Sequence, residues 1–386
     1  MTRKLYYEDS HWKNCAARVL ECHEAGSDWE IVLDQTVFFP EGGGQPCDKG
    51  RIGTQPVLQV REKDGVIYHR MERPLDPGTP VECEIDWPYR FSLMQNHSGE
   101  HIVSGLIHAE YGYDNVGFHM GGERVTLDMN GMLSKEALRD IERKANQAVW
   151  ANLPVKTGFP AQEELQKLSY RSKLEFDQDV RIVQIGELDR CACCAPHVHS
   201  TGEIGLIRLL GLQSYKGGVR ISMLCGERAL EQCFCVQDQI EALGVQFSVK
   251  QEEVLQAVKK LSASYEELLE AKNQLSTEIL KRRAAEYPMV HELRWIFTSE
   301  EGEELRIYAN YLAERNQGIT ALFSGEDPIG YRYILVSAGE DVRALNQAMR
   351  EDLKAKGGGS ARMVQGSVPA CKTEIGSFLE KYRTKI

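Results

Sequence analysis

The sequence predicts a mixed α+β fold built in four parts, and three observations lead to this prediction. Roughly the first ninety residues consist of short strand-like runs separated by turn signals. Residues 227–286 almost lack Gly and Pro and show a heptad pattern. The last hundred or so residues mix strand-like and helical segments. A chain of 386 residues is too long for one compact core and fits two to four domains.

Residues 1–88 are predicted to form a small β-barrel domain. The strand-like segments are short and lie between turns, and they are Trp29–Leu33, Gln55–Arg61, Val66–Arg70 and Pro80–Ile85. Gly42–Gly44 and Lys63-Asp64-Gly65 are the clearest turn signals. Trp87-Pro88 then ends the pattern.

Residues 89–226 are predicted to form an α+β domain. A helical stretch begins near Tyr89, and a second helix is expected at about Ser134–Ala151. The strand-like runs of this part are Arg124–Met129, Arg181–Ile185 and Ile204–Leu212. Strands and helices in this mixture are typical of an α+β layer.

Residues 227–286 are predicted to form a coiled-coil helical arm. Apolar residues recur at spacings of four and three, interrupted only by Lys272, and they are Val254, Val258, Leu261, Tyr265, Leu268, Leu275 and Ile279. Gly244 marks an expected bend, and Pro288 ends the helix. Such an arm either folds back as a hairpin or pairs with a second copy of the chain.

Residues 287–386 are predicted to form a C-terminal α/β domain. Its expected strands are Leu293–Thr298, Thr320–Phe323 and Tyr333–Val336, and its expected helices are Glu300–Arg315 and Asp341–Lys356. The second helix runs into a glycine-rich loop at Gly357–Gly359. This domain offers a second surface through which two chains could form a homodimer.

The composition is that of an ordinary globular protein, with 42% hydrophobic and 27% charged residues. The polar N-terminus lacks the apolar core of a signal peptide, and no window approaches the roughly 18 apolar residues of a membrane span. We therefore expect a cytoplasmic location and no membrane partner. The eleven cysteines are expected to be free thiols. A net charge of −11 argues against tight non-specific nucleic-acid binding but allows a local basic patch.

Two motifs ninety residues apart predict a metal site. His97 and His101 are four residues apart on a predicted helix, so both rings project from one face. Cys193 and His197 repeat this separation. Three imidazoles and one thiolate form a ligand set that suits one Zn²⁺ ion.

The residues alone leave two points of this site open. Cys194 or Cys191 could replace Cys193 as the thiolate ligand. A shell of four protein ligands is typical of structural zinc, whereas a catalytic ion needs an open position. Glu100 lies between the two histidines and is a candidate for a residue that supports the ligands.

These motifs and their surroundings resemble the editing domain of alanyl-tRNA synthetase and the free-standing AlaX-type editing proteins. The resemblance rests on four segments in the family's order: Asp34–Gln45, with the sequence DQTVFFPEGGGQ; the His97 and His101 pair; Cys193–His197 followed by Thr201–Gly205; and Gly218–Ile221. Where most relatives have Cys-Gly-Gly-Thr-His, this chain has Cys-Cys-Ala-Pro-His. Residues 89–226 are accordingly identified as a zinc-binding editing domain.

The resemblance continues into the C-terminal part. Lys356–Gly366 resembles the glycine-rich signature of the C-terminal domain of alanyl-tRNA synthetase, although Ser360-Ala361-Arg362 replaces the usual Arg/His-Pro pair. The chain opens directly in the editing region. The whole arrangement is similar to the long form of AlaX.

The resemblance implies hydrolysis of the ester in seryl- or glycyl-tRNA(Ala), with tRNA as the partner. Thr36 is expected to recognise the serine hydroxyl, because a buried hydroxyl rejects a substrate that leaves it unpaired. Gln45 is expected to bond the ester or position water. Substrate-binding roles are further expected for Gly42, Gly43 and Gly44, for Phe118 and His119, and for the basic residues Arg220, Lys356 and Arg362.

Two other functions fit the same residues. The editing domain of threonyl-tRNA synthetase uses a similar pair of motifs, so the substrate could be seryl-tRNA(Thr). The second alternative is a non-catalytic tRNA-binding module with structural zinc. The Gly-Gly-Gln segment and the C-terminal domain favour the alanine system over the threonine system.

Overall fold

A computed structural model describes residues 1–121, 124–172 and 180–384 of the chain. The chain divides into two compact units, Met1–Ala242 and Leu243–Ile386. Both contain helices and sheets, so the predicted mixed α+β class is confirmed. None of the helices described in these ranges is long and apolar enough to cross a membrane. The four-part division at residues 88, 226 and 286 stays a prediction.

The N-terminal part of the first unit is a seven-stranded antiparallel sheet in the order β6-β5-β9-β2-β3-β8-β7. The strands of this part are β1 (Arg3–Lys4), β2 (Asn14–Ala25), β3 (Asp28–Leu33), β4 (Gln35–Thr36), β5 (Gly50–Ile52), β6 (Gln55–Pro56), β7 (Gln59–Lys63), β8 (Val66–Met71) and β9 (Pro80–Ile85), with β1 and β4 forming a separate parallel pair. Every second residue of β8 and β9 is buried. The sheet is a half-barrel, because β6 and β7 remain as its two edges and do not pair to close it.

Helix α1 (Trp87–Tyr111) connects this sheet to the rest of the first unit. Asp86 accepts a hydrogen bond from the backbone N–H of Tyr89, and Pro88 occupies the first turn, where its missing N–H costs nothing. Gly112 ends the helix with a left-handed φ of 69°. The middle of α1 is buried around its circumference, which is unusual for an amphipathic helix and places polar side chains inside the unit.

The remaining elements of the first unit cover α1 with two further sheets. In chain order they are β10 (Asn115–Gly121), β11 (Arg124–Met129), α2 (Lys135–Trp150), β12 (Val155–Gly158), α3 (Gln162–Leu165), β13 (Ile182–Ile185), β14 (Asp189–Ala192), β15 (Ile207–Tyr215), β16 (Gly218–Cys225) and α4 (Glu227–Phe247), whose last five residues are assigned to the second unit. One antiparallel sheet has the order β10-β11-β16-β15, and the other has the order β12-β13-β14. Residues of α1, α2 and these sheets share one hydrophobic core.

The second unit contains a five-stranded sheet in the order β17-β18-β19-β21-β20. Its elements are α5 (Val254–Ala285), β17 (Arg294–Thr298), α6 (Gly302–Ala313), β18 (Thr320–Glu326), β19 (Gly330–Val336), α7 (Arg343–Leu353), β20 (Lys356–Gly359), β21 (Met363–Val368) and α8 (Lys372–Arg383). The prediction of a glycine-rich loop at Gly357–Gly359 is wrong, because these residues form an edge strand paired with β21. Lys354, with a φ of 56°, ends α7 before them.

Helix α5 carries the heptad residues predicted for an arm. Most of them are exposed, with 57% of Leu261, 69% of Leu268 and 65% of Leu275 accessible. Within α5 the buried residues are Val254 at its start and Leu280 and Ala284 near its end, and the last two pack in a core shared with α6. A coiled coil in this region therefore stays a prediction.

Candidate metal centre and adjoining pocket

Three histidines and one cysteine from two parts of the first unit form a candidate metal centre. Helix α1 supplies His97 and His101, one turn apart, and the loop after β14 supplies Cys193 and His197. The three histidines are buried and Cys193 is partly buried. One potential ligand atom from each of the four residues lies within 4.8 Å of the others. The structure therefore brings together the four residues whose spacing predicted a metal site, and they could hold a metal ion.

Hydrogen bonds outside the cluster orient all three imidazoles. Each Nδ1 contacts an oxygen: His97 contacts Gln45 Oε1 at 2.8 Å, His101 contacts Asp189 Oδ2 at 2.9 Å, and His197 contacts Ser98 Oγ at 3.0 Å. A carboxylate and an amide oxygen only accept, so Nδ1 of His97 and His101 carries the hydrogen. Their Nε2 lone pairs are then free to face the centre of the cluster, as metal-ligating histidines require.

The charges within the cluster favour an anionic sulfur. Burial raises the pKa of the Cys193 thiol, but the imidazoles of His97 and His197 and hydrogen bonds from His101 and His197 outweigh it and hold the pKa well below its usual range. Burial lowers the pKa of His197 to about 3. Burial also lowers the pKa of His101, yet hydrogen bonds with Asp189 and Cys193 and the nearby sulfur charges together outweigh it and hold the pKa well above the usual range. A metal ion bound to the Cys193 thiolate would take the place of the proton that the His101 ring otherwise shares with this sulfur.

The structure distinguishes the three cysteines that the sequence left open. Only Cys193 lies in the four-residue cluster. Cys191 is buried on β14 in a separate group with His101 and Asp189. Cys194 is exposed and belongs to neither group.

A cavity of about 280 Å³ adjoins the cluster. Its walls contain part of the cluster, three aromatic rings, two guanidinium groups and one carboxylate, and they include His97, His101, Cys193, Tyr7, Phe118, Phe159, Arg171, Arg181, Glu100 and Gly43. Such a mixture of apolar surface and a few charged groups is typical of a binding site for a small organic group.

Two arginines in the cavity wall hold the loops around the cluster. Arg181 donates from Nη1 to the backbone oxygens of Cys193 at 3.1 Å and Ala195 at 2.8 Å, which fixes the loop that carries the thiolate. Arg171 donates from Nε to Asp189 at 2.8 Å. That aspartate also orients an imidazole of the cluster, so Arg171 acts on the cluster through it.

The segment Gly42–Gln45 is a tight turn against the cavity. Gly42 and Gln45 exchange two backbone hydrogen bonds at 3.0 and 3.1 Å. Gly44 has a φ of 82°, and a Cβ there would lie 2.5 Å from the backbone oxygen of Phe118. Met120 donates to the oxygen of Gly44 at 2.9 Å, which ties the turn to β10. Glycine is therefore required at this close approach.

Thr36 lies inside the half-barrel and does not line the cavity in the described part of the chain. Its side chain is fully buried, and Oγ1 lies 2.9 Å from His69 Nε2 and accepts from the N–H of Phe38 at 3.1 Å. His69 Nδ1 contacts the oxygen of Ile31 at 3.1 Å. The structure thus brings Gln45 to the cluster but gives the Thr36 hydroxyl partners within the protein.

Phe118 and His119 alternate on β10, so they face opposite sides. The Phe118 ring lines the cavity, whereas His119 is exposed and is not part of the cavity wall. Arg220 donates to both carboxylate oxygens of Asp128 at 2.6 and 2.7 Å and lies 3.9 Å from the centre of the Tyr215 ring. Neither His119 nor Arg220 lies in the wall of this cavity.

Lys356 and Arg362 belong to the second unit. Lys356 lines a cavity of about 520 Å³, together with Lys354 and Arg332. Arg362 is exposed in the turn before β21. The cavity offers a local group of cations on a chain whose net charge is negative.

The residues that orient the ligands carry no motif of their own in the sequence. Asp189, Ser98, Arg171 and Arg181 are all polar residues that the structure buries or half-buries beside the cluster. Ser98 could have been suspected from its place inside the first histidine motif. Asp189 is 88 residues from His101, and no regular spacing connects the arginines to their partners, so only the tertiary fold reveals these contacts.

Two parts of the chain match known domain families. Residues 180–222 match the threonyl and alanyl tRNA synthetase second additional domain. Residues 5–89 match the family described as tRNA synthetases class II (A). The first match contains Cys193 and His197, and the second contains the turn with Gln45.

Several curated proteins are similar to the chain along its length. The alanyl-tRNA editing protein AlaX-L of Pyrococcus horikoshii is 29% identical over 418 residues, which cover 100% of both chains. The alanyl-tRNA editing protein Aarsd1-A of Xenopus laevis is 28% identical, covering 97% of this chain and 96% of the relative. An alanine–tRNA ligase of Methanopyrus kandleri is 30% identical, but this chain spans only 42% of its length.

Proposed function

Because this chain is a full-length homologue of the alanyl-tRNA editing proteins, we propose that it hydrolyses the ester bond of tRNA(Ala) wrongly charged with serine or glycine. The observation that carries the proposal is the buried group of three oriented imidazoles and one thiolate beside a small cavity. The cavity of about 280 Å³ is large enough for a small aminoacyl group.

We propose that His97, His101, Cys193 and His197 hold one zinc ion. Bond lengths of about 2.3 Å to sulfur and 2.0–2.1 Å to nitrogen at tetrahedral angles place sulfur and nitrogen ligands about 3.5 Å apart. Cys193 Sγ lies 3.5 Å from Nε2 of His97 and 3.4 Å from Nε2 of His197, so these two pairs already have the spacing that a tetrahedral zinc ion needs. When bound, zinc supplies a Lewis acid that polarises an ester or activates water.

The side chains of the cavity would bind and orient the substrate. Phe118 and Phe159 offer apolar surface, and Gly43 lets the backbone approach the ester end closely. Glu100 is buried at the wall, and its carboxylate accepts from the side-chain amide of Asn115. A carboxylate fixed in this way can accept a hydrogen bond from the hydrolytic water and hold it near the ester.

Gln45 and Thr36 receive different proposed roles. Gln45 keeps His97 in the orientation that directs Nε2 inward, and we assign it this positioning function. Recognition of a serine hydroxyl by Thr36 stays a prediction, and it requires Oγ1 to exchange its contact with His69 for one with the substrate.

Binding of tRNA is proposed to involve basic groups in both units. Arg220, Lys356 and Arg362 are the proposed phosphate contacts, and the cation group beside Lys356 adds Lys354 and Arg332. Because the chain is acidic and offers few phosphate contacts, we expect a modest affinity for tRNA that falls as the salt concentration rises. A cytoplasmic location is proposed together with this substrate.

Pairing between two copies is proposed through the exposed heptad residues of α5 or through the C-terminal unit. Exposed Leu261, Leu268 and Leu275 form the apolar surface that a coiled coil would cover. The measurement is the mass in solution by light scattering, with a Leu268→Lys variant expected to shift a dimer towards the monomer.

A second substrate, seryl-tRNA(Thr), is favoured by one observation: the matched second additional domain is described for both threonyl and alanyl tRNA synthetases. A non-catalytic tRNA-binding module with structural zinc also fits a centre with four protein ligands. All three functions give different outcomes in one experiment.

The experiment measures release of the amino acid from Ser-, Gly- and Ala-tRNA(Ala) and from Ser-tRNA(Thr), with the zinc content measured in parallel. We expect release from Ser- or Gly-tRNA(Ala), sparing of Ala-tRNA(Ala), and loss in His97→Ala. His108→Ala is the control, because His108 lies on the same helix but is exposed. Release only from Ser-tRNA(Thr) would favour the second substrate, and bound zinc without release would favour the binding module.

A further inference from the structure

A second group of metal-ligating side chains lies outside the centre described above. Asp9, His11 and His199 each offer one ligand atom, and these atoms lie within 4.8 Å of one another. The first two belong to the N-terminal segment and the third to the loop after Cys193, so the fold brings them together from positions about 190 residues apart. All three are partly exposed, with 24% of the His11 side chain and 55% of the His199 side chain accessible.

The two imidazole rings of this group are stacked. Their centres lie 3.7 Å apart at an angle of 27°. Asp9 Oδ1 lies 2.9 Å from His199 Nε2 and 3.9 Å from His11 Nδ1, so one carboxylate oxygen faces both rings. On the other side of His11, Nε2 lies 2.7 Å from Glu203 Oε2. Metal-binding imidazoles are commonly oriented in this way, with one ring nitrogen donating to a carboxylate and the other facing the metal.

The hydrogen-bond partners of His11 leave its Nδ1 without a donor. Glu203 only accepts, so it takes the hydrogen on Nε2. Ser10 Oγ lies 3.2 Å from Nδ1, but its hydroxyl already donates to the backbone oxygen of His197 at 2.6 Å. A neutral ring would therefore point a lone pair at two oxygens, those of Ser10 and Asp9. A metal ion bound by Nδ1 removes this conflict.

We propose that Asp9, His11 and His199 bind a second divalent metal ion of the first transition row, such as zinc or nickel. Two imidazole nitrogens and one carboxylate oxygen suit these ions. Tetrahedral ligands at about 2.0–2.1 Å lie about 3.4 Å apart, so the Asp9–His199 and Asp9–His11 separations of 2.9 and 3.9 Å differ from this spacing by about 0.5 Å each. Because the two rings are stacked, at least one of them must also turn for both nitrogens to face one ion. The remaining positions of the ion face solvent and take water.

The second site is expected to bind more weakly than the first. It has three protein ligands in place of four, and its side chains are partly exposed, whereas the histidines of the first centre are buried. Bound metal would join the N-terminal segment, through Asp9 and His11, to the loop that carries His197 and His199. The hydrogen bond from Ser10 to the backbone oxygen of His197 already connects the same two segments.

The test is calorimetric titration of the metal-free full chain with zinc chloride. The wild type is expected to bind two equivalents, and the double variant Asp9→Asn/His11→Gln is expected to lose the weaker one or bind it at least tenfold less tightly. His97→Ala is expected to lose the tighter one, and His23→Gln, an exposed histidine on β2, is the control that keeps both. A single equivalent in the wild type, or an unchanged weaker equivalent in the double variant, would overturn the proposal.

Cobalt substitution gives a second readout that does not depend on activity. The first centre contains a thiolate, so cobalt bound there shows a near-ultraviolet sulfur-to-metal band, and the second site has no sulfur ligand. We expect the first equivalent of cobalt to raise this band and the second to leave it unchanged. Loss of the band in the double variant would show that the substitutions disturb the first centre, and would contradict two separate sites.

Discussion

Arg90 and Asp48 form an ion pair in the interior of the first unit. Arg90 Nε donates to Asp48 Oδ1 at 2.7 Å, Nη2 donates to the second carboxylate oxygen, and both side chains are fully buried. Arg90 lies near the start of α1, and Asp48 lies just before β5 of the half-barrel sheet. The pair therefore connects the sheet to the helix that carries His97 and His101.

Removing one member of this pair is expected to destabilise the protein strongly. Asp48→Ala leaves a buried guanidinium without its counter-charge, which costs about 3–5 kcal/mol. The measurement is the free energy of unfolding from urea denaturation. The control is Glu84→Ala, which breaks the exposed pair with Arg51 and should cost less than about 1 kcal/mol. Similar losses in both variants would contradict a special contribution from the buried pair.

Gln45 is expected to act on the metal centre through His97. Gln45→Ala removes the oxygen that holds His97 Nδ1, and loss of such a support weakens metal binding about 10–100-fold. Gln45→Glu keeps an acceptor at this position and should retain most of the affinity. The zinc dissociation constant is measured by competition with a chelator, and Gln59→Ala, on an exposed position of β7, is the control. Equal affinity in Gln45→Ala and the wild type would contradict the positioning function.

Gly44 and Gly42 provide a matched pair within one turn. Gly44→Ala places a Cβ 2.5 Å from the Phe118 oxygen at a φ of 82°, so strain of about 1–3 kcal/mol is expected, with Phe118 displaced from the cavity. Gly42→Ala meets nothing within 4 Å and should change stability by no more than about 0.5 kcal/mol. Thermal unfolding and deacylation rates are measured together. A Gly44→Ala variant with the stability and the rate of Gly42→Ala would show that the close approach has no effect.

The sequence predicted those features of the site that depend on local spacing. His97 and His101 share a helical face because they are four residues apart, and the composition of residues 227–286 indicated helix before any contact was known. The parts that it could not predict depend on contacts between distant segments. No sequence motif indicates that Arg90 is buried against Asp48, and nothing near Asp189 indicates that it meets His101, 88 residues away. These charges can be buried because the tertiary fold places their partners, which lie on other elements, next to them.

His69 is expected to make the stability of the first unit fall in acid. Burial lowers the pKa of His69 to about 4, against 6.5 for an ordinary histidine. The unfolded chain therefore binds a proton first as the pH falls, and the free energy of unfolding decreases between pH 6.5 and about 4. From pH 7 to pH 5 this contributes about 2 kcal/mol, which His69→Gln should remove from the difference between the free energies of unfolding measured by urea denaturation at the two pH values. The exposed His23→Gln should keep the wild-type difference, and an unchanged difference in His69→Gln would contradict a neutral buried imidazole.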